Sequence, residues 1–267
     1  MNKASSVRPR ADDKPAAGSI TGLRSELGQV LAAQRLPAGV HFNLAGQQAN
    51  TLLHDGHAWK DFARTSLAAT RRALRSEATL LVHASFAFVL GEPKKDPLRS
   101  LALAIAECEA LVLAGPLPAC VVRLGYLYGP ESRDLRAYRK AFDLGRPYWA
   151  GPRKALQYHL HLHDAAAALC MAATARNAGR TLHATDGTPL SFMDFMDSFA
   201  RRVGRRHPLH VPRLAAPLMR LIVREEHMQQ AALAMPASPP TPTVPRWKPV
   251  FADAREGLCQ AVEAWSA

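Results

Sequence analysis

At 267 residues and 48% apolar side chains, the chain can bury the core of one large domain, which excludes disorder throughout. No apolar run reaches the roughly 18–20 residues that a membrane span needs. Cys108, Cys120, Cys170 and Cys259 are too widely spaced for a disulfide scaffold or zinc ribbon and read as reduced, buried side chains in a reducing compartment. Thirty-four Lys and Arg against 22 acids leave a net charge of +12, which favours anionic partners: nucleic acid, anionic lipid or acidic protein.

Residues 1–19 read as a disordered or extended tail. Lys3, Ser5, Ser6, Arg8 and Arg10 precede the first acid, Asp12, faintly in the manner of a mitochondrial transit segment. No apolar strand is evident before Gly22 or Gly28, and Ile20 to Leu31 reads as a helix. Strands are predicted at Gly39–Leu44, Thr79–Ser85 and Cys120–Leu124, separated by helices at Trp59–Ser76 and Pro97–Ala114. That is the spacing of βαβ units in a parallel sheet. Beyond them come a helix at Arg133–Leu144, a strand around Leu156–Leu162 and a helix starting at Asp164. Then follow a strand at Arg180–Thr185, a helix at Ser191–Val203 capped by Ser191 and a helix at Pro212–Gln229. Pro236–Pro245, with five prolines in ten residues, is an extended strap, expected to lie along another surface. Ala254–Trp265 is the closing helix.

Six segments in order resemble the extended short-chain dehydrogenases/reductases, most of all the 3β-hydroxysteroid dehydrogenase and NAD-dependent epimerase branch. They are VHFNLAG (40–46), HASFAFVLGEP (83–93), VVRLGYLYGPESR (121–133), LHLHDAAAALCMAA (160–173), LHATDGTPLSFMDFMDSFARRVGR (182–205) and WKPVFADAREGLCQAVEAW (247–265). The resemblance implies an α/β fold: a truncated, Rossmann-like parallel sheet with flanking helices over 20–155. A small C-terminal lobe would span 156–267, including the strap (236–245) and the closing helix.

The departures from that family bear on function. Its G-x-x-G-x-x-G fingerprint is not evident, so β1, α1 and β2 of the family read as missing. Aligned on Glu109 and Gly91, Phe86 stands at the catalytic serine position, Leu101 at the tyrosine and Ile105 at the lysine of Tyr-x-x-x-Lys. Ser85 is one place off and points to the other face of its strand. The expectation is a filled reactive centre, with no catalytic residue and no bound cofactor.

Other sites carry weaker readings. His159, His161 and His163 alternate along the predicted strand as candidate metal ligands on one face, but Asp164 there matches the family's helix cap. Arg201, Arg202, Arg205 and Arg206, with Arg213, Arg220 and Arg224 striping the next helix, are candidate partner-binding residues. The resulting expectation is an inactive, dehydrogenase-like accessory subunit of a large assembly, such as a mitochondrial respiratory complex. Its partners would be other subunits, anionic lipid or RNA rather than a small-molecule substrate. The alternatives are an NAD(P)-dependent oxidoreductase or epimerase, a ribosome-associated RNA binder, and a cytoplasmic location.

Overall fold

The computed structural model describes residues 17–48, 58–145, 151–205, 225–238 and 240–266. Five strands form the main sheet: β1 (Ser19–Thr21), β2 (Val40–Asn43), β3 (Leu80–Phe86), β4 (Ala119–Leu124) and β8 (Thr181–Ala184). They lie in the order β1-β2-β3-β4-β8, and every pairing is parallel. Helices α1 (Glu26–Ala32), α2 (Ala58–Ala73) and α3 (Leu98–Leu113) connect the first four strands.

Between β4 and β8 come β5 (Tyr126–Tyr128), α4 (Arg133–Asp143), β6 (Leu156–Gln157), β7 (His159–His161) and α5 (Leu162–Ala172). After β8 follow β9 (Leu190–Ser191), α6 (Phe192–Arg202), α7 (Glu225–Ala232) and α8 (Ala254–Glu263). Ser132, Ser191 and Asp253 cap α4, α6 and α8, each side chain accepting a first-turn N–H.

The central strands are buried on both faces, which explains their nearly unbroken apolar runs. Val40, Phe42, Val82, Ala84, Val122 and Leu182 pack against α1 and α5. Leu81 and Val121 face the other way, against Ala73 of α2 and Val112 of α3. A separate core joins Tyr128 and Leu135 to Phe195, Phe199 and Leu258, tying α4, α6 and α8 together.

Three sequence expectations change. Ile20 to Leu31 is not one helix but strand, turn and helix, so the family's first strand and helix are present. The sheet is not confined to 20–155, because its last strand comes from Thr181–Ala184. The proline-rich strap lies along the protein's own sheet. His183 N–H donates to Pro242 O at 2.9 Å, and Val244 N–H donates to His183 O at 3.2 Å. Proline suits that outer position because an edge needs no further N–H donor.

The other edge is β1. In the Rossmann arrangement two further strands lie beyond the first, in the order 3-2-1-4-5-6. Among the described residues β1 pairs with β2 alone. The steps β1 to β2, β2 to β3 and β3 to β4 all run in one direction. The α1 helix nevertheless lies on the face opposite α2 and α3. Its crossover therefore has the opposite hand to theirs, although right-handed crossovers prevail in about 98% of cases. This is the geometry expected when a helix built to return beyond β1 is joined directly to β2.

Candidate functional site

Phe86 ends β3, while Leu101 and Ile105 lie one turn apart on α3; all three are buried in one apolar cluster with Phe88, Tyr126 and Tyr158. Phe86 packs against Phe88 at 4.8 Å between ring centres and edge-on against Tyr126 at 4.9 Å. The neighbouring Ser85 donates to Glu109 Oε1 at 2.5 Å. Glu109 also accepts from Arg123 Nε at 2.9 Å and Nη2 at 2.6 Å, a two-pronged buried ion pair. Beside this network, His83 is fully buried, bonds Asn43 at 3.0 Å and has its pKa pushed down to about 4 by desolvation.

The turn after β1 reads G-x-x-S-x-x-G. Gly22 has φ of +92°, a conformation costly for a side chain, and a Cβ on Gly28 would run into Gly22 O and the Leu23 backbone. These are the turn-forming and close-packing roles of the first and third fingerprint glycines. Sequence reasoning missed them because β1 has only three residues and serine replaces the middle glycine.

That serine changes the turn. Ser25 Oγ accepts from Gly28 N at 3.0 Å and donates to Gly22 O at 2.7 Å. Glu26 follows in the first helical turn, accepting from Arg133 N at 2.8 Å, and burial raises its pKa. The residues therefore suit a pyrophosphate at two of three positions. The adenosine half of a dinucleotide rests on strands beyond the first, and none lies beyond β1 among the described residues.

A cavity of about 60 Å³ lies between β5, β7 and helices α4, α6 and α7. Tyr126, Tyr138, Gln157, His159, Phe195 and Gln230 line it. It begins at Tyr126, one ring away from Phe86. His159 stacks flat on Phe195, 4.3 Å between centres and 1° between planes. Gln157 Nε2 donates to the backbone oxygens of Gln230 at 2.6 Å and Leu233 at 3.0 Å, fixing the wall beneath α7. Burial pushes the His159 imidazole down to about 3 and raises the Tyr126 phenol, so both are neutral at pH 7.

The three candidate metal histidines do not form one ligand face. His161 Nε2 pairs with Gln260 Oε1 at 3.1 Å, and its Nδ1 accepts from His163 N at 3.3 Å. His163 lies in the first turn of α5 and bonds Glu131 at 3.0 Å. The basic residues also separate. Arg201 and Arg202 end α6 and line a groove with Ser198 and Arg255, whereas Arg205 pairs with Asp143 at 3.2 Å. Arg206, Arg213, Arg220 and Arg224 lie outside the described residues.

The arrangement has counterparts among solved structures. Human epimerase family protein SDR39U1, solved with NADPH, superposes with a TM-score of 0.65 at 15% identity over 93% of this chain and 99% of that one. RMD from Pseudomonas aeruginosa, complexed with NADPH, gives 0.64 at 14% identity over 94% and 99%. The fold is that of the NAD(P)-dependent epimerases and dehydratases of short-chain dehydrogenase/reductase type. DesIV of Streptomyces venezuelae, a dTDP-glucose 4,6-dehydratase with NAD bound, gives 0.64 at 16% identity over 91% and 77%. A curated Streptomyces protein, 3-diazoavenalumate denitrifying reductase, is 31% identical over 158 residues, 58% of this chain and 51% of that protein. The chain thus spans about half the length of this curated relative. No family model matches the chain.

Proposed function

We propose that the chain is a reductase-type enzyme of this fold that holds a small substrate in the cavity beneath α7 and works without the Tyr-x-x-x-Lys acid–base pair. The observation that carries the reading is the position of the cavity, which opens one ring from Phe86, where the family performs its chemistry. The curated relative adds support because its name describes reductive removal of nitrogen from a diazo compound. Replacing a diazonium group by hydrogen expels dinitrogen and leaves no alkoxide to protonate, so Leu101 and Ile105 are compatible with such chemistry.

The test is an assay of reductant consumption with an arenediazonium salt, a ketone and a nucleotide sugar. Reductants are NADPH and reduced nicotinamide mononucleotide, which lacks the adenosine half. Oxidation dependent on protein and diazonium is expected, with none for the ketone or nucleotide sugar. Turnover of the ketone, or of nothing at all, refutes the reading.

A second reading, an accessory subunit without turnover, is favoured by the burial of Phe86, Leu101 and Ile105 in an apolar cluster. A mitochondrial assembly with protein, anionic-lipid or RNA partners belongs to it. Co-purification of a stable set of subunits from the native source, with no reductant consumption, supports it over the first.

A further inference from the structure

Of the residues that line the cavity, Tyr126, Tyr128 and His159 carry a buried polar atom without a partner; the Tyr128 hydroxyl lies against Gly257 of α8, which leaves Tyr126 and His159 for the cavity. Tyr126 is 8% exposed and His159 is 2% exposed, and neither the Tyr126 hydroxyl nor His159 Nδ1 has a hydrogen-bond partner. Gln230 approaches the Tyr126 hydroxyl closely enough to influence its ionisation, but no well-formed hydrogen bond closes between them. Buried polar atoms in folded proteins are nearly always paired, and those left over call for an explanation.

These two sit side by side, with ring centres 6.0 Å apart. Neither can easily turn away: His159 is clamped flat on Phe195, and Tyr126 is wedged edge-on against Phe86. The outer wall is made by half-buried Tyr138 and Phe192, whose rings meet at 6.1 Å. Asp134 also faces the cavity, and among the described residues no Lys or Arg lines it.

From this geometry we infer that the cavity is a recognition site for the non-anionic polar head group of a planar molecule. The head group takes its hydrogen bonds from Tyr126 and His159, and the flat body lies outward against the aromatic wall that Tyr138, Phe192 and His227 form together. The inference rests on the proposed substrate cavity and specifies what enters it. A volume of about 60 Å³ admits a head group of a few heavy atoms, such as an amide, a carbonyl or a diazo group. With no Lys or Arg among the described lining residues, with Asp134 present and with His227 as the one further imidazole beside His159, a phosphate or diphosphate would meet no fixed positive charge, which disfavours its entry. Nucleotide sugars are therefore expected to be poor occupants, although proteins of the same fold bind them.

The experiment is calorimetric titration of the full chain, without any cofactor, using benzamide, benzoate and UDP-glucose. Benzamide is expected to bind, and the two anions are not. Tyr126→Phe removes only one oxygen and His159→Phe keeps the stack on Phe195, so each should weaken benzamide about tenfold. Thermal melts check the fold: Tyr126→Phe should melt no lower than the parent because it deletes an unpartnered hydroxyl. UDP-glucose binding more tightly than benzamide would overturn the inference. So would benzamide affinity indifferent to both variants, or heat from no probe, which would leave the cavity to water only. Reductant consumption is not measured here, so failure of the reductase reading and failure of the binding inference are separable.

Discussion

Asp186 provides a quantitative test of how the lobe is held to the sheet. It is 1% exposed, its Oδ1 accepts from His159 N at 3.1 Å, and its Oδ2 has no partner. Burial first, with the Asp253 carboxylate adding to it, pushes its pKa up from 3.8 to about 8. The folded state therefore holds a proton that the unfolded state releases. Stability from this group is complete below the unfolded pKa and is lost as pH rises through the folded one, by up to about 1.4 kcal/mol per pH unit.

His159 and His83 act in the opposite sense. Their folded values of about 3 and about 4 lie below the unfolded 6.5, so they destabilise as pH falls beneath 6.5. His83 and His159, joined by His41, His161 and His183 whose pKa values burial also lowers, outweigh the raised carboxyls Asp186 and Glu26 as pH falls below 6.5, and above 6.5 Asp186 dominates. Maximum stability is expected near pH 6.5. Asp186→Asn keeps the acceptor for His159 N–H and removes the titration. It should gain about 2 kcal/mol on the parent between pH 6.5 and 8. Urea unfolding followed by circular dichroism at four pH values in that window reads this directly. Parallel curves for parent and variant would refute the assignment of a protonated Asp186.

Other substitutions probe separate parts of the structure. A Cβ on Gly257 would collide with the Tyr128 hydroxyl and come within 2.8 Å of Cζ, so Gly257→Ala should cost about 1–3 kcal/mol. Tyr128→Phe should restore part of it; a Gly257→Ala melt equal to the parent's would sink the idea. Glu109→Ala strands a largely buried Arg123 and should cost about 3–5 kcal/mol, whereas Glu109→Met with Arg123→Met should stay within about 1 kcal/mol of the parent. Equal urea midpoints for both variants would contradict that. Ser25→Gly opens the Gly28 N–H at a cost of only a few tenths of a kcal/mol. It should tighten inorganic pyrophosphate binding several-fold by calorimetry; unchanged affinity would remove the turn from any role in holding a phosphate.

The parts of this fold that the sequence discloses are those where local pattern and tertiary burden agree. α2, α3, α4 and α6 carry clear helical periodicity or a capping serine, and all four appear within a few residues of expectation. β3 and β4 read clearly because strands covered on both faces need unbroken apolar runs. Phe86, Leu101 and Ile105, singled out through the family resemblance from Gly91 and Glu109, are buried together in one apolar cluster. β1 was hidden because an edge strand of three residues, exposed at Ser19, has no room for a pattern. The cavity was hidden for a different reason: Tyr126, Gln157, His159 and Gln230 come from three distant segments, and no spacing along the chain relates them.

The short first strand and the apolar cluster around Phe86 bear on the same question. In a complete Rossmann sheet, the strands beyond the first carry the adenosine half of the cofactor, while the reactive centre needs polar groups to meet the other half. In the apolar cluster of Phe86, Phe88 and Tyr126, an unpaired lysine at position 105 would be buried at high cost. Isoleucine there removes that cost and adds apolar packing. Retained Gly22 and Gly28 need no such ligand, because the turn itself requires them: one for its positive φ, the other for helix–strand contact. Glycine at these two positions therefore meets a demand of the fold. The Tyr126 hydroxyl and His159 Nδ1, buried in the cavity wall without a partner, are the groups that point to a ligand.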